Sequence, residues 1–201
     1  MMVDFGDMEV MRVLAHATNT IAEGEVLQLM NRGDPEVSEA RYLRVIELKT
    51  AKLFEASARL GAITAGVPDT VADDLARYGQ SLGIAFQIAD DLLDYQADPE
   101  ESGKSLGTDL AEGKPTLPLI HAMLHGSPAQ AEKIRTAIRD GRIDWLEDVL
   151  IAVEQTGGLA YSAALAASHS ETAISALGGL PESPFKEALK GLARFAIQRT
   201  H

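Results

Sequence analysis

The chain has 201 residues, enough for one well-buried domain, and its 46% hydrophobic and 24% charged residues are the balance of a globular protein, not a disordered one. A net charge of -12 speaks against a nucleic-acid partner and against docking through a polybasic membrane-binding surface. Cysteine is absent, which excludes disulfides, thiolate metal sites and a cysteine nucleophile and suits a reducing cytosol, so a cytoplasmic chain without a transmembrane segment or signal peptide is expected.

In chain order, helix follows helix. Residues 2–30 carry apolar positions at three- and four-residue steps, among them Val10, Val13, Leu14, Ile21, Val26 and Leu27, and Asn31 to Pro35 form a strong stop. Met1, Met2 and Val3 lead almost at once into this pattern without a cap, as though the helix were cut from a longer domain. Ser38 is positioned to cap a second helix whose apolar face runs from Tyr42 through Val45, Ile46, Leu53 and Phe54 to Ile63, before Gly66-Val67-Pro68 breaks it. Asp69 or Thr70 is expected to cap a third, reaching about residue 97. Residues 98–118 are rich in Gly, Pro, Lys and acids and show no period, and a connection of that length inside a domain is usually functional or disordered. Further helices are expected over 117–125, 128–141, 145–154, 159–177 and 184–198, with Pro128 at a first helical position. No run of alternating β-branched residues suggests a strand. The expected fold class is therefore all-α, one domain over residues 1–201 built as a large helical bundle.

The third helix holds the pattern that asks for an explanation. Around Leu82, Ile84, Ala85, Phe86, Ile88, Ala89, Leu92 and Leu93 it is apolar on nearly every side, yet Asp90, Asp91 and Asp94 project from it toward a common side. Unpaired carboxylates there would repel one another and lose hydration, at a cost on the order of several kcal/mol each. A hard cation such as Mg²⁺ would relieve them; it is held by a few carboxylates and keeps waters and phosphate oxygens for the remaining positions. Lys49 beside Thr50, and Lys104 and Lys114 in the loop after the acids, supply complementary charge for a diphosphate, and Gln87 lies one turn before the acids. Spacing alone leaves a second reading open, a polar stripe on a solvated helix, which the scarcity of other polar residues on that helix weakens.

At these residues the sequence resembles the trans-type polyprenyl diphosphate synthases, nearest the long-chain, octaprenyl-type members of quinone biosynthesis. The resemblance runs over essentially the whole chain, and its specific pieces are GEVLQLMN (24–31), KTAKLFEAS (49–57), GIAFQIADDLLDY (83–95) and LGTDLAEGKPTLPLIHA (106–122). It implies a helical bundle of the isoprenoid-synthase type, with Asp90, Asp91 and Asp94 binding Mg²⁺ that bridges to an allylic diphosphate. Lys49, Lys104 and Lys114 would contact the diphosphate, and Thr50 and Gln87 would stabilise cationic character near the allylic carbon. The implied reaction is prenyl transfer, in which the allylic diphosphate ionises, the double bond of isopentenyl diphosphate attacks the cation, and a proton leaves. Glu25 stands where shorter-chain members carry Gln. The family's first Asp-rich motif, its Arg pair and its isopentenyl-binding residues have no counterpart in this sequence, so the chain reads as a C-terminal portion, incomplete at its N-terminal side and of little activity alone. A homodimer is the expected assembly. A metal-dependent terpene cyclase of the same fold and a non-catalytic partner subunit are the alternatives; the lysines after the acids and the KTA element favour elongation over cyclisation.

Other signals point to structure. Gly103-Lys104-Ser105 imitates the end of a phosphate loop, but Asp98 stands where its first glycine belongs. His121 and His125 are four apart, with Ala122 in place of the Glu of a zinc protease, which suggests a surface role. Asp73 and Asp74 are expected to complement a helix N-terminus, Asp98, Glu100 and Glu101 to form a solvated turn, and Trp145, Tyr161 and Phe195 to pack in the core.

Overall fold

The computed structural model describes residues 6–96 and 106–198. Among these residues every regular element is helical. The first helix, α1 (Met8–Asn31), starts later than the apolar pattern suggests: Gly6 takes a positive φ of 72°, and Asp7 caps the helix by accepting from the Glu9 and Val10 amides. A capped start therefore replaces the uncapped one expected from the opening residues.

The second apolar stretch is one rod with a fault in it. Ser38 accepts from the Arg41 amide and starts α2 (Glu39–Ile46), a π-helical turn follows at Glu47–Ala51, and α3 (Lys52–Thr64) continues from it. In the π turn the Lys52 amide reaches back to the Glu47 carbonyl, one residue further than an α-turn allows. The turn is gripped from both sides. A side chain at Gly24 of α1 would place its Cβ 2.6 Å from the Lys49 amide nitrogen, and one at Gly83 would place it 2.6 Å from the Ala51 Cα.

Helix α4 (Asp69–Gln96) is the axis of the molecule, and its buried residues, from Ala72 to Tyr95, lie all round it. It packs along α3 on one side and along α9 (Gly158–Ala176) on the other, with α10 (Pro184–Gln198) lying against both α9 and α4. A single turn, α5 (Thr108–Ala111), then α6 (Leu117–His125), α7 (Pro128–Asp140), a 3₁₀ turn at Ile143–Trp145 and α8 (Leu146–Gln155) complete the bundle. Ser127 and Gln130 form a reciprocal capping box at the start of α7, and Pro128 takes the first helical position as expected. The main core gathers Ile46, Ile84, Ile88, Leu110, Leu117, Leu119, Ile134, Ile138, Val149 and Val153. A second cluster, around Tyr78, Leu82, Leu177 and Ala193, seals α4 to α9 and α10.

Several expectations need correction. Asp73 pairs with Arg59 of α3 at 2.6 Å and Asp74 with Arg77, so both work through side-chain ion pairs. Tyr161 is a surface residue, stacked on His121 and bonded to Glu39, and Phe195 is 62% exposed on the outer face of α10. Trp145, by contrast, packs against the main core as expected, half-buried, with the Arg142 guanidinium 4.3 Å from its ring centre. Lys104, with Asp98, Glu100 and Glu101, lies outside the described residues. Among the described residues no single helix is long and apolar enough to cross a membrane.

Candidate functional site

The C-terminal half of α4, the π turn, the end of α1 and the segment after α5 meet around a cavity of about 120 Å³. Its polar lining is Gln28, Asn31, Tyr42, Lys49, Thr50, Gln87, Asp91 and Lys114. Four of the residues singled out from the sequence thus share one space with Asp91, although they lie up to 65 positions apart in the chain (Lys49 to Lys114).

Asp91 is the hub. Only 1% exposed, it accepts from the Tyr42 hydroxyl (2.7 Å), the Gln87 side-chain amide (2.9 Å) and the Lys114 ammonium (2.8 Å). Burial, with the Asp91 charge beside it, raises the Tyr42 phenol well above its ordinary value and keeps it a donor. Lys114 also donates to Asp109 (2.9 Å); burial pulls its pKa down, but the two carboxylates outweigh burial and leave it raised. Asp109 is pushed up to about 6, by burial first and by Asp91 and Asp94 against the pull of Lys114.

The remaining acids are held differently. Asp94 accepts from the Thr108 and Asp109 amides, both at 3.0 Å, and so ties the end of α4 to the start of α5. Burial raises its pKa against those amides and Lys114. Asp90 is half-exposed, with its nearest amide donor, on Gln87, at 3.5 Å. On the facing wall Lys49 donates to Gln28 and Glu25, each at 2.6 Å, while the Thr50 hydroxyl donates to the Gln87 carbonyl at 2.9 Å. An i→i+5 turn sets successive side chains closer around the axis than an α-turn does, and the neighbours Lys49 and Thr50 both line the cavity.

The donor set suits a hard cation that arrives with its own ligands. Asp91 and Asp109 share the Lys114 ammonium and Asp94 lies within electrostatic reach of it, so negative charge is in excess, and Asp94 and Asp109 have raised pKa values. Among the described residues no three His, Asp or Glu side chains are close enough to hold a metal unaided. An ion bound here would draw part of its shell from water and phosphate, the habit of Mg²⁺.

A family model for polyprenyl synthetase matches residues 1–154, more than half of the chain. The chain belongs to the polyprenyl synthetase family. It is 52% identical to octaprenyl diphosphate synthase of Escherichia coli K12 over 200 residues, 99% of this chain and 62% of that protein. A crystal structure of a polyprenyl synthase from Caulobacter crescentus, complexed with calcium and isoprenyl diphosphate, superposes with a TM-score of 0.94 at 41% identity, covering 100% of this chain and 62% of that one. A decaprenyl diphosphate synthase from Rhodobacter capsulatus superposes with a TM-score of 0.92 at 40% identity, again over 62% of its length. The chain therefore spans about 62% of the length of these relatives. Membership also accounts for the all-helical fold, since these neighbours are prenyl diphosphate synthases.

Sequence reasoning missed four participants. In sequence Tyr42 is one more position on the apolar face of its helix, although a buried phenol needs a partner. Gln28, Asn31 and Asp109 lie inside stretches that carry the resemblance, GEVLQLMN and LGTDLAEGKPTLPLIHA, but nothing local marks these three residues within them, and they join the site through the fold.

Proposed function

We propose that the chain provides the allylic-diphosphate side of a prenyl transfer, in which an allylic diphosphate is extended head to tail by isopentenyl diphosphate with Mg²⁺ as cofactor. The observation that carries this reading is the convergence of Asp91, Lys114, Lys49, Thr50 and Gln87 on one cavity. Asp90, Asp91 and Asp94 would hold the metal, which when bound supplies charge neutralisation for the departing diphosphate. Lys114, anchored by Asp91 and Asp109, presents an ammonium at a fixed place beside the acids, and Lys49 presents another from the π turn. These two, with Lys104, would contact diphosphate oxygens and stabilise the charge that develops as the C–O bond breaks. Thr50 and Gln87 hold each other in place, and their oxygens would face the allylic carbon as it becomes cationic.

Long-chain product, service to a quinone side chain, a homodimer and a cytoplasmic location belong to the same proposal, supported by the relatives' identity to this chain. The sequence carries the DDxxD pattern once, at residues 90–94, so the 201-residue chain alone is expected to act as a partner subunit or binding half with little turnover. The test is product analysis with labelled isopentenyl diphosphate and farnesyl diphosphate on the complete open reading frame. There, Asp90→Ala is expected to depress the chemical step far more than Asp73→Ala. Equal effects would remove the metal assignment, and Mg²⁺-dependent condensation by the purified 201-residue chain would overturn its expected inactivity.

A further inference from the structure

Asn31, the last residue of α1, is 4% exposed and lines the same cavity. Its side-chain carbonyl oxygen is the single buried side-chain polar atom without a hydrogen-bond partner among the described residues. Buried polar atoms are ordinarily satisfied, so an orphan beside a candidate binding site asks what donates to it. The two ammoniums that line the cavity are engaged elsewhere, Lys49 with Gln28 and Glu25, and Lys114 with Asp91 and Asp109. A diphosphate oxygen is itself an acceptor and cannot satisfy a carbonyl. A water polarised by a divalent cation is a strong donor, and Mg²⁺ keeps several waters when it binds through carboxylates and phosphate. The cavity, at about 120 Å³, has room for such waters.

We infer that Asn31 is a ligand-reading residue of this site, its side-chain carbonyl accepting a hydrogen bond from a water carried on the cation that accompanies a bound diphosphate. The inference rests on the cation-diphosphate reading above and extends it to a residue outside the acidic stretch. It gives the end of α1 a role in distinguishing a metal-loaded diphosphate from a bare one.

Calorimetric titration of the 201-residue chain with inorganic diphosphate, once with Mg²⁺ and once with a chelator, tests it. Asn31→Leu, close in size and without an acceptor, is expected to weaken uptake of magnesium diphosphate about tenfold and leave uptake of the bare anion within about twofold. Asn31→Asp keeps an acceptor; it is expected to hold magnesium-diphosphate affinity within about threefold of wild type while weakening the bare anion by repulsion. Should Asn31→Leu fail to fold, as thermal unfolding would reveal, the Asn31→Asp pair of titrations decides alone, and loss of the magnesium preference there counts against the inference. Equal affinity of wild type and Asn31→Leu, the result expected if only an interior water bonds Asn31, overturns it. So does an equal loss with and without Mg²⁺, which would mean that the amide nitrogen donates to phosphate. A wild-type chain that takes up no magnesium diphosphate removes the proposed function together with this inference; uptake indifferent to Asn31→Leu removes this inference alone.

Discussion

Asp91 is the residue on which the site turns, because three donors from three parts of the chain end on one buried carboxylate. Removing it strands the Tyr42 hydroxyl and deprives Lys114 of one of two partners, so Asp91→Ala should destabilise the fold by about 3 kcal/mol in urea unfolding. Asp73, whose side chain is 61% exposed in its pair with Arg59, should cost under about 1 kcal/mol as alanine. Asp109 carries a pH signature. Its folded pKa, about 6, stands above its unfolded value, so between about pH 4 and pH 6 the folded state binds more protons and the Asp109 contribution to stability falls as pH rises. Asp109→Asn mimics the protonated side chain, and wild-type stability measured relative to it should therefore decline across that window; a flat difference would deny the raised pKa. At this scale the sequence was legible where chemistry is written locally. Asp90, Asp91 and Asp94 stand out because acids interrupt an apolar helix, and Lys114 because it follows in a Gly/Pro loop. Tyr42 and Asn31 did not stand out, since their roles depend on partners or a cavity that only folding brings to them.

Among the elements, the π turn between α2 and α3 is the most consequential, and Gly24 and Gly83 make room for it. Gly24→Ala would push a methyl against the Lys49 amide and is expected to cost about 1–3 kcal/mol and to displace Lys49 from the cavity wall. Gly61→Ala in α3, where nothing lies within 4 Å, is the control and should stabilise by up to about 1 kcal/mol. Equal effects from the two would mean that the close approach of α1 is not what sets the turn. The helix starts at Ser38 and Ser127 were readable, whereas the one capped by Asp7 was not, because apolar residues precede it as well as follow it. The π turn was not, because a one-residue shift in backbone hydrogen bonding leaves the apolar period on either side intact. The turn α5 escaped for a related reason: four residues are too few to show a period, and its start is held by Asp94 from the preceding helix.

The whole molecule is a bundle wrapped on α4, with acids at one end of that axis and apolar side chains left outward on its neighbours. Val26, Leu29 and Met30 on α1 and Leu53 on α3 are each more than half exposed, which predicts self-association in sedimentation; a clean monomer at micromolar concentration would speak against it. The all-α class was legible because each of the longer helical stretches carries its own apolar period. The cavity was not, since no local pattern records that the end of α1 meets the segment after α5, as when the Gly33 amide bonds the Gly113 carbonyl at 2.8 Å. The central claim is that the acidic end of α4 holds an allylic diphosphate through a divalent cation. Its most direct test is calorimetric binding of a non-ionising thio-analogue of farnesyl diphosphate to the 201-residue chain, with and without Mg²⁺. Binding should require Mg²⁺ and vanish when Asp90, Asp91 and Asp94 are together replaced by alanine in a chain still folded by circular dichroism; binding that ignores the metal or survives the triple replacement would contradict the claim.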